Sequence, residues 1–311
     1  MSQTTNNDTT ADLDTTDDTQ ELLQKIEEIP SDTISAESKQ ELLQKIRAKV
    51  DEIRNYVPKV GVFGDTGAGK SSLCNALFGQ DAAKVNDVEA CTRDPQEILL
   101  QSKNGRMILV DVPGTAEDPK HQKKYTALYM SLASELDLIL WAIKADDRKY
   151  ASAIEAFHAV YPKDKPQEPP VLFVITQTDK TNPTDGWDRE AFKPKPDPDP
   201  DGKQLLGNIA IKERDVSKKF DLKGGQIISV ATSPKGKAYN LTELVDLVVE
   251  ALPDDKKFSF IREAKQKHVS AKAKKKAKNG FWASIWGFVK EVGKVVGPVV
   301  IKMVGDIFTK K

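Results

Sequence analysis

From Pro58 to Leu252, short apolar runs alternate with stretches whose apolar residues recur at helical spacing. Apolar runs bounded by turn residues mark strands buried on both faces. Their alternation with helices predicts a mostly parallel sheet wrapped by helices. The pattern places strands near 59–63, 96–101, 106–111, 136–143, 171–176 and 226–230, and helices near 70–79, 119–135, 149–161, 203–220 and 240–252. The second and third strands are separated by Ser102-Lys103-Asn104-Gly105, and Asn-Gly is a strong hairpin signal, so these two should be antiparallel. The fold class predicted is α/β: a mostly parallel six-stranded sheet with one antiparallel hairpin, flanked by helical extensions at both ends of the chain.

The flanks read differently. Residues 1–19 are Thr, Asp, Asn and Ser with few apolar groups, a composition that cannot offset the entropy of ordering, and a disordered tail is expected there. Gln20-Glu21-Leu22-Leu23-Gln24-Lys25-Ile26 then recurs as Gln40-Glu41-Leu42-Leu43-Gln44-Lys45-Ile46, and the second copy continues through Val50, Ile53 and Val57. Both copies carry a helical stripe, so 20–56 is expected to be a helical extension that packs on the central domain or on a partner. The central domain is assigned to 57–253. Within it, Lys193-Pro194-Lys195-Pro196-Asp197-Pro198-Asp199-Pro200-Asp201 suits neither helix nor central strand; an extended surface loop is expected.

Beyond Pro253 the run Lys272-Ala273-Lys274-Lys275-Lys276-Ala277-Lys278 precedes Phe281-Trp282-Ala283-Ser284-Ile285-Trp286-Gly287-Phe288-Val289, and valines continue to Phe308 with Lys and Asp interspersed. A membrane span needs about 20 uninterrupted apolar residues, and this stretch does not supply them. A basic linker and two amphipathic helices broken near Gly297-Pro298 are expected over 254–311. Aromatic residues beside a lysine cluster are what helices at a lipid interface use. Packing on the protein itself and contact with ribosomal RNA are the competing readings.

Lys plus Arg and Asp plus Glu both number 47, giving a net charge of zero, but the first twenty residues hold only acidic charge and Lys256 to Lys278 is rich in Lys. A basic end of this kind seeks anionic surfaces. The two cysteines, Cys74 and Cys91, have neither metal-ligand spacing nor a disulfide framework. No apolar secretory segment follows Met1. A cytoplasmic setting, with peripheral attachment to a membrane through the tail, is the expectation.

The chemistry concentrates in Gly64-Asp65-Thr66-Gly67-Ala68-Gly69-Lys70-Ser71-Ser72, which follows the run Val60-Gly61-Val62-Phe63 and opens a helical run. In a strand–loop–helix context, G-x-x-x-x-G-K-[ST] is a phosphate-binding loop. Its glycines let successive N–H groups turn toward an anion, and the helix N-terminus adds partial positive charge. Lys70 can reach the β- and γ-phosphates, and the Ser71 hydroxyl can ligate Mg2+. Asp111-Val112-Pro113-Gly114 closes the third strand; Asp111 can hold Mg2+ through water, and Gly114 can offer its N–H to a γ-phosphate. Thr92, in the loop between the first helix and the second strand, can complete the Mg2+ shell. Val171-Leu172-Phe173-Val174-Ile175 ends in Thr176-Gln177-Thr178-Asp179-Lys180. A carboxylate at Asp179 can accept hydrogen bonds from the guanine N1–H and 2-amino group, donors that adenine lacks.

The order of these segments, closed by Ser229-Val230-Ala231, resembles the five signatures of the TRAFAC GTPases. The flanks Tyr56 to Gly64 and Lys70 to Gly79 are similar to the Era-like bacterial GTPases, the HSR1-related or 50S ribosome-binding family. The resemblance covers about residues 50–253, and an antiparallel hairpin in an otherwise parallel sheet suits it. It implies GTP or GDP as ligand and Mg2+ as cofactor. Phosphates would be held by Asp65, Thr66, Gly67, Ala68, Gly69, Lys70, Ser71 and Ser72, and Mg2+ by Ser71, Thr92 and Asp111. The base would be held by Thr176, Gln177 and Asp179 and backed by Val230 and Ala231. Lys70, Thr92 and Gly114 would take part in catalysis. Two departures stand out. Gln177 replaces the Lys of the usual N-K-x-D or T-K-x-D, whose stem covers the base. Thr115 stands where Ras-type enzymes carry a water-orienting Gln, so slow intrinsic hydrolysis is expected.

The function expected is a Mg2+-dependent GTPase switch coupled to a membrane- or partner-facing tail. The alternatives are a ribosome-assembly GTPase whose tail touches RNA, and a nucleotide-binding scaffold with little turnover. Besides the guanine nucleotide, the partners weighed are an anionic membrane surface, the ribosome or RNA, and a second copy of the chain.

Overall fold

The computed structural model describes Leu13, residues 15–79, 96–102, 105–111, 119–164, 166–195, 200–233 and 235–296, and Gly305; for 96–111, 119–125, 200–203 and 293–296 it describes backbone alone. The chain divides into two units: Met1–Tyr56 with Pro253–Arg262 and Ser270–Lys311, and Val57–Leu252 with Glu263–Val269. The sequence reading treats the two chain ends as separate extensions; the structure joins them in one helical unit.

In that unit α1 (Thr16–Glu27) and α2 (Ala36–Asn55) hold the two copies of the repeat. Leu22 and Leu42, Leu23 and Leu43, and Ile26 and Ile46 are buried pairwise alike. Each copy also repeats its exposed Glu–Lys pair one turn apart, Glu21–Lys25 and Glu41–Lys45. Ser35 caps α2, accepting from the Ser38 N–H at 3.2 Å. The first helix starts at Thr16, inside the stretch expected to lack structure, because Thr15 and Thr19 face Arg54: its guanidinium donates to Thr15 Oγ1 at 2.8 Å and to Thr19 Oγ1 at 3.1 Å. The rest of that expected tail, apart from Leu13 and Thr15, lies outside the described residues.

The nucleotide-loop unit begins with β1 (Lys59–Gly64) and α3 (Lys70–Phe78). There follow β2 (Gln96–Ser102), β3 (Gly105–Asp111), α4 (Pro119–Ala133), β4 (Leu138–Lys144), α5 (Ala151–Val160) and β5 (Val171–Thr176). A two-residue ladder, β6 (Trp187–Asp188) with β7 (Lys193–Pro194), precedes α6 (Pro200–Phe220). The expected surface loop at 193–201 is therefore corrected at both ends. Pro194 sits in a two-stranded ladder, where a missing N–H is tolerated. Pro200 opens the helix, at the turn where its fixed φ suits and its N–H is not needed; residues 196–199 lie outside the described residues. The unit continues through β8 (Ile227–Ser229), β9 (Ala231–Thr232), β10 (Ala238–Tyr239) and α7 (Leu241–Ala251).

The main sheet has the order β2-β3-β1-β4-β5-β8. The β2–β3 pair is antiparallel, with Ser102 opposite Gly105, and the other pairings in this sheet are parallel. Register aligns Phe63, Trp141 and Phe173 in one row across β1, β4 and β5. With Tyr129, Phe157 and Phe220 from α4, α5 and α6 they form an aromatic core, Trp141 stacking on Phe173 at 5.9 Å. The alternate residues Val62, Leu140 and Leu172 are equally buried, on the face where α3 and α7 meet β1 and β5. Burial on both faces is why these strands are continuously apolar.

The chain then returns to the helical unit through α8 (Asp254–Glu263) and α9 (Ala271–Val296). The expected basic linker is corrected here: while the second of the two expected helices falls outside the described residues, the lysine run lies within α9 itself. Ala273, Ala277, Phe281, Ile285 and Val289, one turn apart, form its buried stripe, and α9 packs on α2. The lysines between them sit on its outer flanks. The expected break at Gly297-Pro298 lies outside the described residues. Side chains from α8 close the C-terminal end of α2: Ser259 donates to the Ile53 carbonyl at 2.8 Å and Arg262 to the Tyr56 carbonyl at 3.0 Å. These satisfy carbonyls that have no partner within their own helix. Among the described residues no helix is long and apolar enough to cross a membrane.

Candidate nucleotide-binding site

The phosphate loop is shaped by its backbone. Gly64 ends β1 with φ +137°, and a Cβ there would lie 2.3 Å from the Ala142 carbonyl of β4. Gly67 and Gly69 take φ +78° and +79°, left-handed values that side chains disfavour. Gly69 is the N-cap of α3 and supplies no side chain to its first turn. The amides at the start of α3 thus face the loop with no side-chain cap, the arrangement that accepts an anion. Lys70 folds back over the loop, donating to the Gly64 carbonyl at 3.0 Å and the Asp65 carbonyl at 3.3 Å. Ser71 follows in the first helical turn. An ammonium, a hydroxyl and the amides of a helix N-terminus without a side-chain cap are a donor set suited to a phosphate.

The base-side loop is tied to the phosphate loop by side chains. The buried Thr176 hydroxyl donates to the Ala68 carbonyl at 2.6 Å, and Gln177 Nε2 to the Gly67 carbonyl at 2.8 Å. Thr178, also buried, donates its hydroxyl to the Val230 carbonyl at 2.8 Å, and the Val230 N–H returns to the Ile175 carbonyl at 2.7 Å. Asp179 follows in the short 3-10 turn Thr178–Lys180. Val230 and Ala231 are buried at the end of β8 and in β9. Asn240 Nδ2 donates to the Ser229 carbonyl at 3.1 Å. The sequence reading assigns no role to Thr178 or Asn240. Only the Thr between Gln177 and Asp179, at a position forced inward by the strand's end, could have hinted at the first.

Acidic charge crowds the phosphate loop. Burial, then the Asp65 charge, push the Asp147 carboxyl above its ordinary range, although Lys212 opposes the shift. Burial pushes the Lys212 ammonium down, and its Nζ donates to the Asp147 carbonyl and to Tyr150 Oη. Burial raises the Tyr150 phenol to about 12.

The segment Glu263–Val269 belongs to this unit and touches both loops' supports. Lys265 caps the C-terminus of α3, its N–H reaching the Leu77 carbonyl and its Nζ the Asn75 carbonyl, each at 2.8 Å. Lys267 Nζ donates to the Gly236 carbonyl at 3.2 Å, in the turn between β9 and β10.

The structure thus brings together Asp65 to Ser72, Thr176, Gln177, Asp179, Val230 and Ala231. Asp111 ends β3 with its backbone paired to Val62; its side chain lies outside the described residues, as do Thr92 and Gly114. No group of three or more His, Cys, Asp or Glu able to hold a metal occurs among the described residues. Cys74 is buried and forms no disulfide among the described residues.

Residues 59–177 match the family described as 50S ribosome-binding GTPase. The chain is 44% identical over 143 residues to the uncharacterized protein YfjP of Escherichia coli strain K12, an alignment covering 46% of this chain and 49% of that one. It is 33% identical over 106 residues to the GTPase Der of Pseudothermotoga lettingae, covering 32% of this chain and 24% of Der. Among solved structures, Era in complex with MgGDPNP and nucleotides 1506–1542 of 16S ribosomal RNA aligns at 24% identity and a TM-score of 0.45, covering 63% of this chain and 57% of Era. The chain spans about half the length of YfjP and less of Der. Over residues 59–177 the chain is therefore similar to the domain of the 50S ribosome-binding GTPases, and the remainder of the chain lies outside that match.

Proposed function

We propose that the chain binds GTP with Mg2+ and hydrolyses it to GDP and phosphate, acting as a switch read out through its helical unit. The observation that carries this reading is the phosphate loop itself. An uncapped helix N-terminus and a folded-back Lys70 are laced through Ala68 and Gly67 to Thr176 and Gln177 of the base-side loop. Lys70 and the loop amides of Asp65 to Ser72 hold the phosphates. Ser71, Thr92 and Asp111 hold Mg2+, which when bound neutralises charge developing on the phosphate oxygens. Asp179 accepts from guanine, Val230 and Ala231 back the base, and the Gly114 N–H senses the γ-phosphate. Water attacks the γ-phosphorus, the bond to the β,γ-bridging oxygen breaks, and GDP leaves. Thr115 offers no amide to orient that water, so turnover is slow without a partner. Phosphate release under single-turnover conditions, with Lys70→Ala as the control, tests this. Release no faster than that of the Lys70→Ala control would favour a scaffold with little turnover.

For the partner, the family's description favours the ribosome. The lipid reading rested on an aromatic cluster with nowhere to go. Phe281 is now accounted for: it is fully buried, packs on Phe258 at 5.3 Å and lies under the Arg54 guanidinium. Sedimentation with ribosomes and with anionic vesicles, each with GTP and with GDP, separates the two.

A further inference from the structure

Gln177 stands where the related motifs carry a lysine, and the structure shows what has become of the cation. Gln177 holds a left-handed backbone, φ 56° and ψ 34°, a conformation that a side chain adopts only when its surroundings fix it. Three hydrogen bonds fix it here. Its Nε2 donates to the Gly67 carbonyl of the phosphate loop at 2.8 Å. Its Oε1 accepts from Lys180 Nζ at 2.6 Å. Its backbone carbonyl accepts from the Lys180 N–H at 2.9 Å. Lys180 therefore grips Gln177 at both backbone and side chain, and Asp179 sits between them.

The polarity of this chain of bonds has only one consistent direction. An ammonium has donors and no acceptor, so it selects the oxygen end of the amide. The NH2 end is left for Gly67, whose carbonyl can only accept. A cation on the amide oxygen also polarises the amide and strengthens the bond that its N–H makes. Without Lys180 the amide is free to turn over, and its oxygen would face the Gly67 carbonyl unfavourably.

We propose that Lys180 is a positioning residue for guanine nucleotide. Acting through Gln177, it supplies the cation missing from the motif and clamps the base-side loop, Asp179 included, onto the phosphate loop. This rests on the reading of the site as a guanine-nucleotide site. Because the relay is exposed, its effect is moderate and lies in the lifetime of the complex.

The test is stopped-flow dissociation of a fluorescent GDP from the full chain and from Lys180→Ala, Lys180→Arg, Gln177→Lys and Gln177→Lys/Lys180→Ala. Lys180→Ala should release GDP about 3- to 10-fold faster, and Lys180→Arg should restore most of the lifetime. In the Gln177→Lys background, which returns the cation to the motif position, Lys180→Ala should change the rate less than 1.5-fold, approximately. An unchanged rate in Lys180→Ala, or the same loss in both backgrounds, overturns the relay while leaving the nucleotide site standing. A wild-type chain that binds no guanine nucleotide overturns both.

Discussion

The two ends of the site are built by different means. At the phosphate end the backbone does the holding: left-handed glycines at 67 and 69, a strand end at Gly64 with no room for a Cβ, and helix amides with no side-chain cap. At the base end side chains do it: Thr176 to Ala68, Gln177 to Gly67, Thr178 to Val230 and Lys180 to Gln177. A backbone device depends on a few residue types at fixed spacing, because only they adopt its dihedral angles. A side-chain device can pass its chemistry to a neighbour, and the phosphate loop here follows its motif while the base loop departs from it.

The sharpest way to break this contrast is at the phosphate end. Lys70→Ala removes the ammonium that now donates to the Gly64 and Asp65 carbonyls and that the proposed function assigns to the phosphates. Nucleotide affinity by calorimetry should fall by roughly 100-fold or more, with the thermal midpoint of the nucleotide-free protein close to wild type. Retained affinity would mean that the loop does not hold phosphate. At the base end, Asp179→Asn should weaken GDP about 10- to 100-fold and bring xanthosine diphosphate to the fore, because an amide offers a donor where guanine also donates. Competition titrations read this directly, and an unaltered order of preference would remove Asp179 from base reading.

Acid should weaken the fold through Glu263–Val269, the segment that holds the C-terminus of α3 and the β9–β10 turn. Burial, with Lys267 and Lys265 beside it, lowers the His268 imidazole from 6.5 to about 4. The folded protein keeps His268 neutral where the unfolded chain binds a proton. Stability is therefore fully present above pH 6.5 and falls as the pH drops toward 4, by about 2 kcal/mol at pH 5. Denaturant melts of wild type and His268→Gln between pH 8 and pH 5 should show that the variant lacks this slope. Equal slopes would place the titrating group elsewhere.

The smallest expected effect is at Thr178. Thr178→Val removes the hydroxyl bond to Val230, but the Thr178 N–H still serves that carbonyl at 3.2 Å. A loss of about 1 kcal/mol is expected by denaturant unfolding. A loss several-fold larger would show that the base end relies on this one bond.

What could be read from sequence follows the same division. The central strands and helices were legible because burial on both faces writes continuous apolar runs: β5 spans Val171–Thr176 and α7 Leu241–Ala251, against 171–176 and 240–252 expected. The phosphate loop was legible because its glycines are required. The helical unit was not. Each amphipathic stripe says that a helix must be covered, and none says by what; that α2 is covered by α9, far along the chain, is a fact of tertiary structure. The lysine run misled because charge suggests a linker, whereas Ala273 and Ala277 within it continue the buried stripe to Phe281. Lys180 went unread because the motif directs attention to Gln177, and only the hydrogen bonds show the ammonium seated on the Gln177 amide.

The central claim is that a loop held by side chains, with glutamine in place of the motif's lysine, still reads guanine. The direct measurement is displacement of fluorescent GDP from the wild-type chain by GTP and by ATP, in the presence of Mg2+. GTP should compete at least 100-fold better than ATP, on the order expected when a polar site meets a base lacking its donors. Equal displacement by the two would contradict the account, showing that Asp179 and its relay hold the loop together without choosing the base.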